Sequence, residues 1–391
     1  MKILQVHVHH VNSGGSEVLF AALVSLLASR GHEVITLERQ NSEIRGLTAH
    51  IRAAVDGIYS VPAKKEMAEL LRRELPDIVH LHNVYPQLSP SVVQACNEAG
   101  VPVVMSLHDY KLICPTAQYF RDGSPCHLCS GGREYHCLLT NCRGNWSESA
   151  AYAARTVVAR RAGWFTKGVD RFIPCSEFVR EHHVREGFPA ERMVVIANFA
   201  DMPAHNSARD VGTYAAFLGR ISPEKGVGLL CEAARLTSLP VRVAGTGAAA
   251  ARIFEPSPSV TFVGRLGRAD VGPFLNGARY LVVPTLCEEP FGIVAAEAMG
   301  HGLPVIAART GGLTEVVDDG VTGLLFEPGD VRALAECMTR LWNDPHLARS
   351  LGEAGRVKAI REYHKETYCT RLERVYESVA ARRPGHAGAT L

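Results

Sequence analysis

Two carboxylates, Glu289 and Glu297, stand with seven residues between them in TLCEEPFGIVAAEAMG (285–300), and two cations, Arg220 and Lys225, stand five apart in AFLGRISPEKG (216–226). A loop that carries an arginine and a lysine at that spacing can bring both onto one diphosphate. An apolar run of strand length precedes Glu289 and an Ala-rich stretch of helix length follows Pro290, so strand, loop and helix are expected there. Pro290 suits a first helical turn, Gly292 admits a close ligand, and the free amides of that turn form an anion site. Glu297, about two turns into the helix, can reach hydroxyl groups along the same face. A ligand with both phosphate and sugar hydroxyls fits these residues. His108 opens the segment HDY at a strand end, beside Asp109, an acid able to orient it; His82 reads more simply as a surface or supporting histidine.

The cysteines offer a second chemistry. Eleven are present, five of them between Cys114 and Cys142. Cys126 and Cys129 form a C-x-x-C pair in a stretch rich in Gly, Ser and Pro, and Cys114 with either Cys137 or Cys142 completes four ligands for tetrahedral zinc. His127 and His136 are possible substitutes, and reduced thiols without metal or a disulfide are the other readings. A catalytic zinc is disfavoured, because the available ligands are enough to close the site.

These groups need elements to hold them. Strands are expected at 2–9, 33–37, 77–81, 101–107, 170–176 and 194–198, with a glycine turn at 11–16 that opens a helix to residue 29. Gly14 and Gly15 miss the G-x-G-x-x-G fingerprint, so they read either as a tight turn or as a place where phosphate approaches. After a polar linker at 200–212, strands recur at 215–219, 240–244, 260–263, 280–283, 304–307 and 323–326, with helices between. Such alternation gives two parallel sheets, each covered by helices on both faces, and two sheets can open and close on a ligand between them. A helix at 147–167 carries Arg155, Arg160, Arg161, Trp164 and Phe165; it reads as an ordinary basic face or as a surface that touches an anionic membrane.

At 391 residues the chain exceeds one ordinary core, so two domains are expected. A formal charge of +2 and the lack of a basic block interleaved with aromatics argue against a nucleic-acid partner. The first apolar run is too short, and too broken by His7, His9 and His10, for a signal peptide, and no run reaches membrane-spanning length. The expectation is a soluble cytoplasmic protein.

SGGSE near the start, HDY, FLGRISPEKG, EPFGIVAAEA and RTGGLTEVV together resemble the retaining glycosyltransferases of family 4, across most of the chain. The resemblance implies the GT-B fold: an N-terminal Rossmann-like domain for the acceptor (1–200, with a cysteine-rich insert at about 111–145), a C-terminal one for the nucleotide sugar (201–364), a central cleft, and a last helix (from 365) that crosses back. It implies that Arg220 and Lys225 neutralise the diphosphate and that Glu297 holds the ribose. Glu289 with the amides of Phe291, Gly292 and Ile293 would hold the transferred sugar, Gly15 would close over the phosphates, and His108 would touch the sugar near the reacting carbon. The match of NCRGN to the last cysteine of a subset of relatives makes Cys142, rather than Cys137, the fourth ligand beside Cys114, Cys126 and Cys129. It further implies retention of anomeric configuration, no cofactor for the chemical step, a UDP-sugar donor as first choice, and a glycan, lipid-linked or small-molecule acceptor. An epimerase, a hydrolase or a silent sugar-nucleotide binder would share the donor pocket.

Overall fold

The computed structural model describes residues 1–9, 15–41, 46–203, 211–247 and 258–381. Most of the glycine turn at 11–16 and of the linker at 200–212 therefore lies outside the described residues. The chain forms two compact units: the first takes 1–118, 127–196 and the segment from Cys369, the second 119–126 and 197–368.

The first unit is built on a sheet of β1 (Lys2–His9), β2 (Glu33–Gln40), β3 (Ile78–Asn83), β4 (Val103–Leu107) and, after two short strands, β7 (Arg171–Pro174), in the order β2-β1-β3-β4-β7 and parallel throughout. The two short strands, β5 (Phe120–Arg121) and β6 (Ser124–Pro125), make an antiparallel ribbon that belongs to the second unit. Residues 194–198 form no regular strand. Their amides at Val194 and Ile196 donate to Phe172 and Pro174 of β7, yet only the Phe172 to Met193 bridge has ladder geometry. The basic stretch breaks at Gly163, whose φ of 68° ends the helix Trp146–Ala162 before Trp164–Gly168 begins.

The second unit holds β8 (Tyr214–Leu218), β9 (Val241–Ala244), β10 (Val260–Gly264), β11 (Ala278–Val283), β12 (Val305–Ala308) and β13 (Gly323–Phe326), ordered β10-β9-β8-β11-β12-β13, again all parallel. Its core runs from Ala215, Phe217, Val241 and Val243 through Tyr280 and Ile306 to Met338 and Leu341 of the helix Val331–Asn343. The long apolar runs follow from burial on both faces of a parallel sheet. In each sheet the chain steps outward from a central strand and then returns to its other side, between β1 and β3 and between β8 and β11. Such a reversal leaves a crevice at the carboxyl ends of the two strands, the usual ligand site of an open α/β sheet. The last helix, Lys365–Ala380, starts in the second unit and joins the first from Cys369.

Candidate active site

The reversal in the second sheet places the loop after β8 (219–226) beside the loop after β11 (284–292), so the sequence-predicted cations meet Glu289, whereas Glu297 has Asp201 and Arg268 as its charged neighbours. Gly226 makes the approach possible: its φ is 67°, and a Cβ there would stand 1.8 Å from the Pro284 carbonyl oxygen. Hydrogen bonds then join the loops, with Leu286 N and Thr285 Oγ1 both donating to the Glu224 carbonyl at 2.8 and 2.9 Å. The RTGG turn closes the far side through Gly312 N to Glu289 O at 2.7 Å.

Lys225 Nζ lies 2.5 Å from Glu289 Oε2, with side chains 24% and 13% exposed. Burial draws the lysine downward, but Glu289 and Cys287 outweigh it and leave its pKa raised. Burial, then Glu289, pushes the Cys287 thiol up to about 11. Arg220 is exposed and donates to Glu224 Oε1 at 3.1 Å, which also accepts from Ser222 Oγ at 2.7 Å. Glu224 is buried and aims Arg220, a role sequence reading missed although the residue sits between the two cations it serves.

The helix of the second loop starts at Ile293, not near Pro290, because Gly292 adopts φ 92° as its N-cap; a Cβ there would strike Leu313 at 2.4 Å. Pro290 therefore shapes the loop, and the helix N-terminal amides begin around Gly292 and Ile293. Phe291 is buried edge-on against Tyr363 at 5.4 Å. Glu297 is half-buried in that helix; burial first, then Asp201, raises it to about 7, with Arg268 opposing.

In the first unit, β1, β3 and β4 each carry polar residues two apart on buried strands: Gln5 and His7, His80 and His82, Ser106 and His108. A spacing of two puts each pair on one face, and in register Gln5 lies opposite His80. His82, read as a surface or supporting histidine, is buried and faces half-buried His108, Nδ1 to Nε2 at 3.2 Å, the position of a supporting residue. Asp109 accepts from the amide of Lys111 at 2.8 Å and lies 3.4 Å from its ammonium. The Lys111 ammonium also donates to Asn83 Oδ1 at 3.1 Å. A cavity of about 30 Å³, room for about two waters, is lined by His7, His82, Asn83, His108, Asp109 and Lys111 among others. Gly15 is the exposed first residue of the helix Gly15–Ser29; Gly14 lies outside the described residues.

None of the eleven cysteines, all among the described residues, is in a disulfide. Cys129, Cys137 and Cys142 pack together with Ala153. Burial, then Cys142, Cys129 and Cys114, pushes the Cys137 thiol far up, so Cys137, set aside by the resemblance, has three of the expected ligands around it. Cys126 follows the β5 and β6 ribbon, its amide donating to Tyr119 O at 2.7 Å. Of the basic helix, Arg155 is buried, stacked on Tyr85 and Tyr152 with its guanidinium carbon 4.6 and 3.9 Å from the ring centres, and Arg160 pairs with buried Glu134 at 2.6 Å. Arg155 thereby serves the fold, whereas Arg160 stays partly exposed. Among the described residues, no helix is long and apolar enough to cross a membrane.

Residues 212–344 match the family model described as glycosyl transferases group 1, and residues 13–202 match glycosyltransferase family 4. An uncharacterized glycosyltransferase of Methanocaldococcus jannaschii is 24% identical over 97% of this chain and 99% of its own. The structure is similar to a sucrose-phosphate synthase from Thermosynechococcus elongatus, with TM-score 0.73 and 20% identity over 98% of this chain and 100% of that one. It is also similar to the Anabaena protein HepE in complex with UDP-glucose, with TM-score 0.67 and 17% identity over 97% and 100%. The two parallel α/β units are the GT-B fold of these neighbours. With its cation and carboxylate loops at the sheet reversal and both halves matched, the chain belongs to the group 1, family 4 glycosyltransferases.

Proposed function

We propose that this glycosyltransferase moves a hexose from a UDP-sugar to a hydroxyl of a glycan, a lipid-linked sugar or a small molecule, with retention of anomeric configuration and without a metal ion in the chemical step. The observation that carries the reading is the cluster of Arg220, Lys225 and Glu289 on loops locked together at the sheet reversal, with Glu297 on the helix that follows the second loop. Arg220 and Lys225 hold the diphosphate and stabilise the charge that grows on it as the glycosidic bond breaks. Glu297 accepts from the ribose hydroxyls. Glu289 and the amides of Phe291, Gly292 and Ile293 hold the sugar, Gly15 approaches the phosphates, and His108 contacts the sugar near the reacting carbon. Glu289 is already engaged by a lysine, which makes it an anchor rather than a nucleophile. The leaving phosphate oxygen takes the acceptor proton as the new bond forms on the same face. That HepE holds UDP-glucose supports UDP over other bases.

A thermal-shift series with UDP, GDP and dTDP tests the base, since a ligand of the folded state raises apparent stability with its concentration. UDP should give the largest shift, and UDP-hexoses with an acceptor panel should then yield glycoside rather than free sugar. Free sugar alone would make the chain a hydrolase; a larger shift with GDP would remove UDP.

The cysteine segment is proposed to hold one structural zinc, with Cys114, Cys129 and Cys142 as ligands and Cys126 or Cys137 as the fourth. The gathered thiols fit such an ion, and cysteines outside any disulfide suit a reducing cytoplasm. Elemental analysis should find one zinc per chain, chelation should lower the melting temperature, and whichever of Cys126→Ser and Cys137→Ser loses the metal names the fourth ligand. A metal-free protein with an unchanged melting curve would remove the zinc.

A further inference from the structure

The polar face shared by β1, β3 and β4 is closed by the last helix, and its hydrogen bonds form a single chain. Gln5 stands in the middle, fully buried. Its amide nitrogen donates to the Tyr376 hydroxyl at 3.1 Å, and its carbonyl oxygen lies 2.8 Å from His82 Nε2. A carbonyl can only accept, so His82 carries its proton on Nε2. A neutral imidazole has one N–H, which leaves His82 Nδ1 a lone pair, and the partner of that lone pair is His108 Nε2 at 3.2 Å. On the other arm the Tyr376 hydroxyl, which already accepts from Gln5, donates to His80 Nδ1 at 2.7 Å, and His80 Nε2 then donates to Ser106 Oγ at 2.9 Å. Burial keeps the rings neutral: it lowers His80 to about 3, helped by His108, and it lowers His82 well below the usual value, helped by His80, His108 and His7.

A chain of this kind in the middle of a sheet is costly unless every member is satisfied, and an apolar set would fill the same space without that demand. Its far end is a histidine that lines the cavity. We propose that Gln5, His80, His82 and Tyr376 are positioning residues that fix His108 as the tautomer protonated on Nε2, so that Nδ1 is its hydrogen-bond acceptor toward a sugar hydroxyl. The effect on rate rests on the part given to His108 in sugar transfer; the effect on the tautomer does not. The reach of the chain is long in sequence, since Gln5 and Tyr376 are 371 positions apart. The last helix thereby sets the chemistry of the residue that follows β4.

Long-range ¹H–¹⁵N spectra of the full-length protein labelled with [¹⁵N]histidine, with His108 assigned by a His108→Gln variant, read the tautomer directly. The wild-type protein should show His108 protonated on Nε2. Tyr376→Phe, which removes one oxygen, and Gln5→Leu should each turn it into a mixture, whereas Gln5→Glu should preserve it, because a carboxylate still accepts from His82 Nε2. In transfer assays kcat should fall about tenfold in Tyr376→Phe and Gln5→Leu, the loss of one oriented hydrogen bond, with donor KM within about twofold and with recovery in Gln5→Glu. Should Gln5→Leu fail to fold, the wild-type and Tyr376→Phe spectra decide. A wild-type His108 protonated on Nδ1, or a tautomer that does not move in Tyr376→Phe, overturns the proposal even if kcat falls. The expected tautomer changes in a protein that transfers no sugar would uphold the relay and reject the proposed function instead.

Discussion

In the second unit the groups at the carboxyl ends of β8 and β11 are charged and paired, Lys225 with Glu289 at 2.5 Å and Arg220 with Glu224 at 3.1 Å. In the first, the groups along β1, β3 and β4 are mostly imidazoles, of which burial keeps His80 and His82 neutral, joined by hydrogen bonds through an amide, a phenol and a serine. The same fold thus supports two kinds of site. A nucleoside diphosphate must be matched by cations, and cations tolerate partial burial only beside carboxylates. Sugar hydroxyls carry no charge and need donors and acceptors of fixed polarity, which a neutral histidine chain supplies.

The largest effect should come from the charged site. Lys225→Ala should cut transfer by about 10² to 10³, equivalent to roughly 2.7 to 4 kcal/mol, as expected for loss of one preorganised charge contact. Steady-state rates with a turned-over donor check it, and near wild-type turnover would erase the contrast between the units.

Next in size is the pair itself. Glu289→Gln leaves the Lys225 ammonium without its counter-charge and should lower stability by about 1 to 3 kcal/mol. Saturating UDP should restore more stability to this variant than to the wild type, because the diphosphate replaces the lost charge. Equal shifts would mean that Lys225 does not meet the phosphates.

The smallest effect is in pH. Glu297 is raised to about 7 by burial and Asp201, so its carboxyl is protonated below that pH and ionised above it. Because the folded value lies above the unfolded one, the group stabilises the fold fully below about pH 4.5 and loses that contribution as pH rises through 7. Ribose hydroxyls donate best to the carboxylate, so UDP should bind up to about tenfold tighter at pH 8 than at pH 6. Glu297→Gln should flatten that profile and melt higher than the wild type at pH 8. His80 and His82 should add no step near neutrality, since burial holds both rings well below it.

Much of the charged site was legible because its residues are local: RISPEKG spans one loop, EEPFGIVAAEA spans one loop and the start of the helix it opens, and the alternation of strands and helices indicates parallel sheets. What escaped depends on contacts across the chain. Glu224 looked like spacing between two cations, yet its side chain aims one and its carbonyl ties down the neighbouring loop. The helix start moved from Pro290 to Ile293 because Gly292 takes a left-handed conformation that Leu313 packs against. Arg155, read as part of a basic face, is folded inward by two tyrosines, one of them 70 residues away. The histidine chain did leave a trace, the polar residues two apart in LQVHVH, VHLH and MSLH, which lie in or directly after otherwise apolar strands. That pattern marks a buried polar face, but Tyr376 could be joined to it only by the topology.

The second unit is proposed to grip a nucleoside diphosphate through Arg220 and Lys225. Calorimetric titration of UDP and of uridine into the wild type and into an Arg220→Ala, Lys225→Ala double variant tests it without knowledge of the acceptor. Loss of two charged hydrogen-bond donors should weaken UDP by at least about a hundredfold and leave uridine unchanged. UDP binding equally tightly to both proteins would contradict the account.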